Sequence, residues 1–449
     1  MKTHHKIWDK GQSTHPEAER FTVGNDRTWD RRLARWDVLG SMAHVQMLES
    51  VGLLSTAELE LLLAALKNIL IQIDKGHFTI ADEVEDVHSM VEALLTEKLG
   101  DVGKKIHSGR SRNDQVLVDL KLYFRHEIKE ITHLVESLFQ LFIQQSDKKK
   151  EHLLPGYTHL QVAMPSSFGL WFGAYAESLS DDMHQLLAAW KIANKNPLGS
   201  AAGYGSSFPL NRQLTTDLLG FASLHYNVVN AQMSRGKTEK ALANGLAAVA
   251  ATVGKWAMDC TQYLNQQFGF ISFPDSLTTG SSIMPHKKNP DVLELIRAQC
   301  NRIQAVPNQI SLLTGNLPSG YHRDNQLLKD LIFPAIDQLK DVLTMAHLML
   351  SNMEVKENLM QHEAFKFAFS VEEVNRLVLD GMPFRDAYKT VGLQIESGQF
   401  ETPTTLQHTH EGSIGNLCSP AICAEFEAVK MQFGFEKVEK ALGNTCAGY

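Results

Sequence analysis

At 449 residues, 43% of them hydrophobic and 21% charged, the chain has the composition of a soluble globular protein and the length for two or three units around a large core. Its formal net charge of −8 leaves no basic surplus to neutralise phosphates, which argues against a nucleic-acid partner but not against a local basic pocket. Residues 1–20 hold no apolar secretory core and no apolar run reaches about 18 residues, so no membrane partner and a cytoplasmic location are expected.

Cys260, Cys300, Cys418, Cys423 and Cys446 are odd in number and form no CxxC pair, so they read as reduced thiols. Nineteen histidines invite a metal. Without an HExxH run or Cys/His ligand spacing, neither metal nor cofactor is expected.

In chain order, Met1–Ile106 holds shorter helical patterns. One is Thr56–Asp74, opened by Ser55-Thr56-Ala57-Glu58 in the form of a capping box. His107-Ser-Gly-Arg-Ser-Arg-Asn-Asp-Gln115 is a polar turn ahead of a helix. Most such turns are N-caps with solvated arginines. Arg110, Arg112 and Asn113 at a helix N-terminus also suit a carboxylate, because arginine binds that group bidentately. Ser111–Leu154 then contains neither Gly nor Pro, and Val116, Leu120, Tyr123, Phe124, Ile128 and Ile131 recur at helical spacing. A helix of about 40 residues spans roughly 60 Å, longer than a small domain is wide.

Leu154–Pro165 reads as a loop between two prolines. A lone histidine is more often structural than catalytic, but His159, beside Thr158 and near Gln161, is a candidate acid or base. Ala174–Asn196 is a second run without Gly or Pro. Asn196–Pro209 follows no strand and lacks a Walker lysine, so it reads as a close-packed turn bordering a pocket rather than a phosphate loop. Arg235–Phe268 is rich in Ala and Gly, which lets helix backbones approach closely. In Thr279–Arg297, Gly280 and Pro285 mark a loop carrying Ser281, Ser282, Lys287 and Lys288. Pro290, Asp291 and Glu294 then start a helix. Hydroxyls, lysines and the positive end of a helix suit an anionic substrate. Leu317–Lys329 runs from loop to helix and presents Tyr321, Gln326 and Lys329 at spacings that suit one ligand. Ala335–Asp380 again lacks Gly and Pro. From Gln361 onward Gly and Pro break shorter segments, and Gly443–Tyr449 reads as a frayed tail. No sustained alternation suggests strands. The fold class is all-α, with a central bundle of long helices shared between subunits.

The runs His107–Gln115, Gly156–Gln161, Gly280–Arg297 and Tyr321–Lys329, in this order with long helices between them, resemble the argininosuccinate lyase family of the fumarase/aspartase superfamily. In that superfamily an amine or water leaves a succinyl group and fumarate forms. The resemblance spans nearly the whole chain. It implies a three-domain protomer, with an N-terminal helical domain at 1–108, a long-helix domain at 109–360 and a small helical domain at 361–449. It also implies a homotetramer whose twenty-helix core takes five helices from each chain, with active sites shared among three chains.

By the same resemblance the catalytic residues are Ser281, His159, Lys287 and Glu294. The substrate contacts are Asn113, Thr158, Tyr321, Gln326, Lys329, Ser111, Arg112, His88 and Asn289. Either Ser281 or His159 is the base and the other the acid. Three positions depart from the family pattern. His286 stands where Gln is common, Ser234-Arg235-Gly236-Lys237 lacks the usual Arg-Asp pair, and Asp26 replaces a serine and suits an ammonium group. The alternatives are another fumarate-releasing lyase, such as one acting on adenylosuccinate, or a silent crystallin-like protein on the same fold.

Overall fold

The computed structural model describes residues 15–81, 84–403 and 406–447. The chain is built mainly from helices. The N-terminal part holds α1 (Pro16–Val23), α2 (Asp26–Ser50), α3 (Thr56–Asp74), α4 (Val87–Leu99) and α5 (Asp101–Lys104). The capping box expected ahead of α3 is present: the Ser55 hydroxyl accepts from the Glu58 N–H, and the Glu58 carboxylate accepts from the Ser55 N–H. The central part holds α6 (Arg112–Lys148), α7 (Phe168–Ala193), the short α8 (Arg212–Leu218) and α9 (Val228–Gln232), then α10 (Lys237–Leu264), α11 (Asp291–Thr314) and α12 (Leu328–Ser351). The chain closes with α13 (Ser370–Leu379), α14 (Phe384–Glu396), α15 (Ser419–Lys430) and α16 (Phe435–Ala447).

Helices α6, α7, α10, α11 and α12 form a bundle in which α10 packs along both α7 and α11. Its small residues are the reason. A Cβ on Gly245 would lie 3.0 Å from Leu186 of α7, and one on Gly254 3.0 Å from Cys300 of α11. The bundle core is one continuous apolar cluster that also takes side chains from α2, α3 and α4. A second, smaller cluster forms around Met360, Phe369, Val374, Val391 and Phe400. Helices α15 and α16 return to the first cluster, where Phe426 stacks on Phe139 at 4.0 Å and Phe435 meets Trp190 edge-on.

The bundle has two distinct ends. Arg112, Gly236, Thr314 and Leu328 lie at one, tied by Arg235, which donates to the carbonyl of Asn325 at 2.6 Å. Lys148, Leu264, Asp291 and Ser351 lie at the other, where Tyr157 stacks on Phe268 with centroids 5.5 Å apart.

Two sequence expectations are corrected, and the run Ala335–Asp380, although free of Gly and Pro, holds two helices: α12 stops at Ser351 and α13 begins at Ser370. Asparagines do the punctuation there, Asn352 at the C-cap and Asn358 in the left-handed region at φ 58°. Strands occur where none was expected. Leu153–Thr158 (β1) and Gln161–Ser167 (β2) form an antiparallel hairpin in place of a loop. The other strands are two residues each: β3 (Lys195–Asn196) pairs with β4 (Ser223–Leu224), while β5 (Ile271–Ser272), β6 (Thr279–Gly280), β7 (Lys288–Asn289) and β8 (Glu354–Val355) pair as β5 with β8 and β6 with β7. Lastly, the tail expected to fray continues α16 as far as Ala447, and residues 448–449 lie outside the described residues.

Candidate active site

One cavity of about 360 Å³ opens at the first end of the bundle. Its wall begins with the N-terminus of α6. Ser111 caps that helix by accepting from the Asn113 N–H at 3.3 Å. Asp114 closes the box on the Ser111 N–H at 2.8 Å and reaches back to the N–H groups of Gly199 and Ala201. The Asn196–Pro209 turn thus braces the α6 N-terminus from behind. Burial pushes the Asp114 carboxyl up to about 6 although three backbone N–H donors pull it down. Arg112 faces the cavity with its fork already used, on Asp86 at 2.7 Å and Ser89 at 2.6 Å. Arg110, expected beside it, instead donates to Ser41 at 3.0 Å and takes no part in the wall.

The opposite wall comes from Tyr321 and the turn leading into α12. Gln326 donates to the carbonyls of Thr22 and Val23, at 2.9 and 3.0 Å. Lys329 is buried between two carboxylates of α2, Asp26 and Asp30, the latter at 2.7 Å. Burial disfavours its charged form. The two acids outweigh burial and hold the ammonium above the ordinary lysine value. The ammonium that Asp26 meets within this chain is therefore that of Lys329. His88 completes the wall. Its Nδ1 lies 2.7 Å from Asp37 and 3.5 Å from Asp119. Burial works to neutralise the imidazole, but Asp37, Asp119 and Asp86 together lift it to about 9. The ligand atoms of Asp37, His88 and Asp119 lie close enough to hold a cation, and the imidazolium proton supplies that positive charge.

The second end of the bundle carries the other two motifs. The loop 281–287 hangs from the β6–β7 pair, whose base Asn289 helps close by donating to the Gly280 carbonyl at 3.5 Å. Ser281 Oγ accepts from the N–H groups of Ile283 at 3.4 Å and Met284 at 3.2 Å. Donors at those positions favour an ionised hydroxyl. Lys287 and Glu294 are exposed, and neither side chain makes a hydrogen bond or ion pair with a described residue. His159 and Leu160 form the two-residue turn of the β1–β2 hairpin, with φ 52° and 58°. Positive φ at both central positions is the type I′ hairpin turn, usually filled by Asn-Gly. Here it exposes His159, with Thr158 and Gln161 paired at its base.

Seven expected substrate contacts, Ser111, Arg112, Asn113, His88, Tyr321, Gln326 and Lys329, therefore line one cavity. Thr158, Asn289, Ser281, His159, Lys287 and Glu294 do not. The 24 residues of α11 alone separate the Ser281 loop from the cavity by about 36 Å, and the 37 of α6 separate His159 from Asn113 by about 55 Å. Sequence reasoning missed Asp30, Glu85 and Arg323 in the wall and left Arg235, also in it, a doubtful ligand. For Asp30 a signal existed: it lies one helical turn beyond Asp26, on the same face of α2. A larger cleft, about 1230 Å³, lies over the small C-terminal cluster and holds no expected site residue.

A family described as Lyase matches residues 11–305. The argininosuccinate lyase of Parabacteroides distasonis is 59% identical over 97% of this chain and 98% of its own length. That of Thermotoga neapolitana is 38% identical over 86% and 97%. Among solved structures, EDDS lyase in complex with formate matches with a TM-score of 0.77 at 19% identity, over 97% of this chain and 94% of its own. A fumarate lyase:delta crystallin from Brucella melitensis bound to cobalt matches at 0.70 and 16%, over 90% and 91%. At those identities the structures speak for the fold alone.

Proposed function

We infer the reaction from the premise that this chain belongs to the argininosuccinate lyase family of the fumarase/aspartase superfamily. It is a carbon–nitrogen lyase that splits 2-(N-omega-L-arginino)succinate by anti β-elimination into L-arginine and fumarate. In the cell this is the last step of arginine biosynthesis, in the cytoplasm, a setting in keeping with five unpaired cysteines. No observation favours adenylosuccinate or a silent protein.

The observation that carries the site reading is the division of the motifs between the two ends of one bundle. No small substrate reaches from Asn113 to Ser281 along a helix of this length. We propose that chains associate so that opposite ends meet. A homotetramer with five long helices per chain places the His88–Lys329 cavity of one chain against the His159 hairpin of a second and the Ser281 loop of a third. Ile283, 82% exposed, and Leu160, 74% exposed, sit at the two loop tips, where another chain would cover them.

In that site Ser281 removes the weakly acidic C–H next to a carboxylate. Its alkoxide is favoured by the Ile283 and Met284 N–H groups. Negative charge then spreads onto the carboxylate oxygens, where fixed donors are the largest catalytic contribution. Lys287 and Asn289 supply them. The C–N bond breaks, and His159, oriented by Glu294 of a neighbouring chain, donates a proton to the departing guanidine. Guanidinium pKa lies above about 12, so that transfer is strongly downhill. Asn113, Thr158, Tyr321 and Gln326 hold the substrate.

Fumarate release, followed by its ultraviolet absorbance from argininosuccinate and separately from adenylosuccinate, tests the reaction. Turnover of the first alone is expected; turnover of the second alone would overturn the assignment. The sharing of the site is tested by reassembling inactive His159→Ala and Ser281→Ala proteins together. If the two residues come from different chains, roughly a quarter of sites recover in a closed symmetric oligomer. No recovery, after exchange is confirmed by mass, would place both in one chain.

A further inference from the structure

A second cavity, about 660 Å³, opens beside the first at the N-terminal end of α10. Its lining contains Lys195, Lys237 and Lys240 and no aspartate or glutamate. All three lysines are exposed, and none makes an ion pair with a described residue. Two of them lie in the first turn of a 28-residue helix, where the helix dipole disfavours positive charge and acids are usual. Such an arrangement is unfavourable in an empty cavity and favourable around an anion. Arg235 walls this cavity and the substrate cavity alike. Its charge is already matched by Glu239 at 3.0 Å, so it divides the two rather than adding to the excess.

Independent of charge, the wall contains groups with nothing to bind. Gln232 is 1% exposed, and neither its amide nitrogen nor its oxygen has a hydrogen-bond partner. The Nε2 of His322 is likewise buried and unpartnered. Buried polar groups without partners are unfavourable, and a ligand that supplies those partners removes the penalty. The neighbouring imidazole registers the same field. Burial first, then Lys121, Lys195, Arg212 and Lys237, press His225 down to about 3, so it stays neutral at the cavity edge.

We propose that this cavity is a second binding site, separate from the substrate pocket, for a small polyanionic metabolite carrying phosphate or carboxylate groups. Calorimetric titration of the intact enzyme with pyrophosphate, and separately with citrate, at matched ionic strength tests it. At least one probe is expected to bind once per chain without displacement by saturating fumarate, and the tighter of the two identifies the anionic group. Lys237→Ala/Lys240→Ala is expected to weaken that binding at least tenfold while leaving kcat unchanged. Lys195→Ala, on a different element, is expected to weaken it independently. Binding of neither probe, equal binding by the lysine variants, or one-for-one displacement by fumarate would overturn the proposal.

Discussion

The two ends of the bundle are finished to different degrees. At the Lys329 end nearly every functional side chain is tied down. Arg112 is on Asp86 and Ser89, Gln326 on the α1 carbonyls, Lys329 between Asp26 and Asp30, and His88 on Asp37. At the Ser281 end, Lys287, Glu294 and His159 stand exposed without a partner among the described residues. A chain can organise the groups that grip a substrate in advance, since each satisfies another. Groups that must meet reacting atoms gain from being left open until a second surface arrives, because only there does their geometry matter. On the assembly proposed above, the difference is that between a preorganised half-site and one that a second chain completes.

Substitution of one residue at each end sharpens that contrast. Ser281→Ala removes a hydroxyl whose only hydrogen bonds among the described residues are those accepted from two loop N–H groups. We expect kcat to fall by at least about 10²–10⁴-fold, the usual contribution of a positioned acid or base, with folding and substrate binding retained. Near-normal kcat would mean Ser281 is neither acid nor base. Lys329→Met should do the reverse and strike stability. It leaves Asp26 and Asp30 facing each other without their cation, at a cost of about 3–5 kcal/mol for an uncompensated buried charge. A denaturant midpoint within error of the parent would show that this end is not held together as described.

The same contrast separates what the sequence made legible from what it did not. The helix α6 was readable because apolar residues recur at helical spacing with no Gly or Pro to interrupt them. The close approach of α10 was readable from its glycines and alanines. The β1–β2 hairpin was not, for a local reason. Pro155 and Pro165 argue against strands, yet they sit opposite each other, with the register shifting just beyond Pro155. Its turn is His-Leu rather than Asn-Gly, so the usual short-range signal is absent. Asn113, Tyr321, Gln326 and Lys329, taken from family motifs, line one cavity. Their ion-pair partners did not follow, since Asp30 lies 299 positions from Lys329 and only the folded bundle brings them together. Sequence spacing likewise put no distance between the Ser281 loop and the cavity. That separation emerges only when helix lengths are laid end to end.

A smaller effect at the tied-down end is set by pH. The folded His88 imidazole titrates at about 9, above its ordinary 6.5, so its contribution to stability is fully present below about 6.5 and is lost as pH rises through 9. A shift of this size corresponds to about 3 kcal/mol. The unfolding free energy of the parent should therefore fall between those pH values by more than that of His88→Gln, which cannot carry the proton. Parallel pH profiles for the two proteins would mean the imidazole is not held charged by Asp37 and Asp119.

The smallest expected effect concerns the exposed end, and its sign decides whether that end is strained. Leu160 holds φ 58° in the hairpin turn although leucine has no chemical reason to prefer it. A left-handed residue other than glycine is less favourable by about 1–2 kcal/mol. Glycine adopts that conformation without penalty, and Leu160 is 74% exposed, so little packing within the chain is lost on removing it. Leu160→Gly should thus stabilise an isolated chain by about 1 kcal/mol, less some entropy gained by the unfolded state. In the assembled protein the same change removes an apolar tip that a second chain would bury. The two effects oppose, and dilution separates them. If the tip is covered, the variant dissociates at higher protein concentration than the parent, while its hairpin is no less ordered by amide exchange. If the tip faces only water, dissociation is unchanged and the gain in stability stands alone. A destabilised hairpin at every concentration would show that Leu160 packs within its own chain, against the exposure described above.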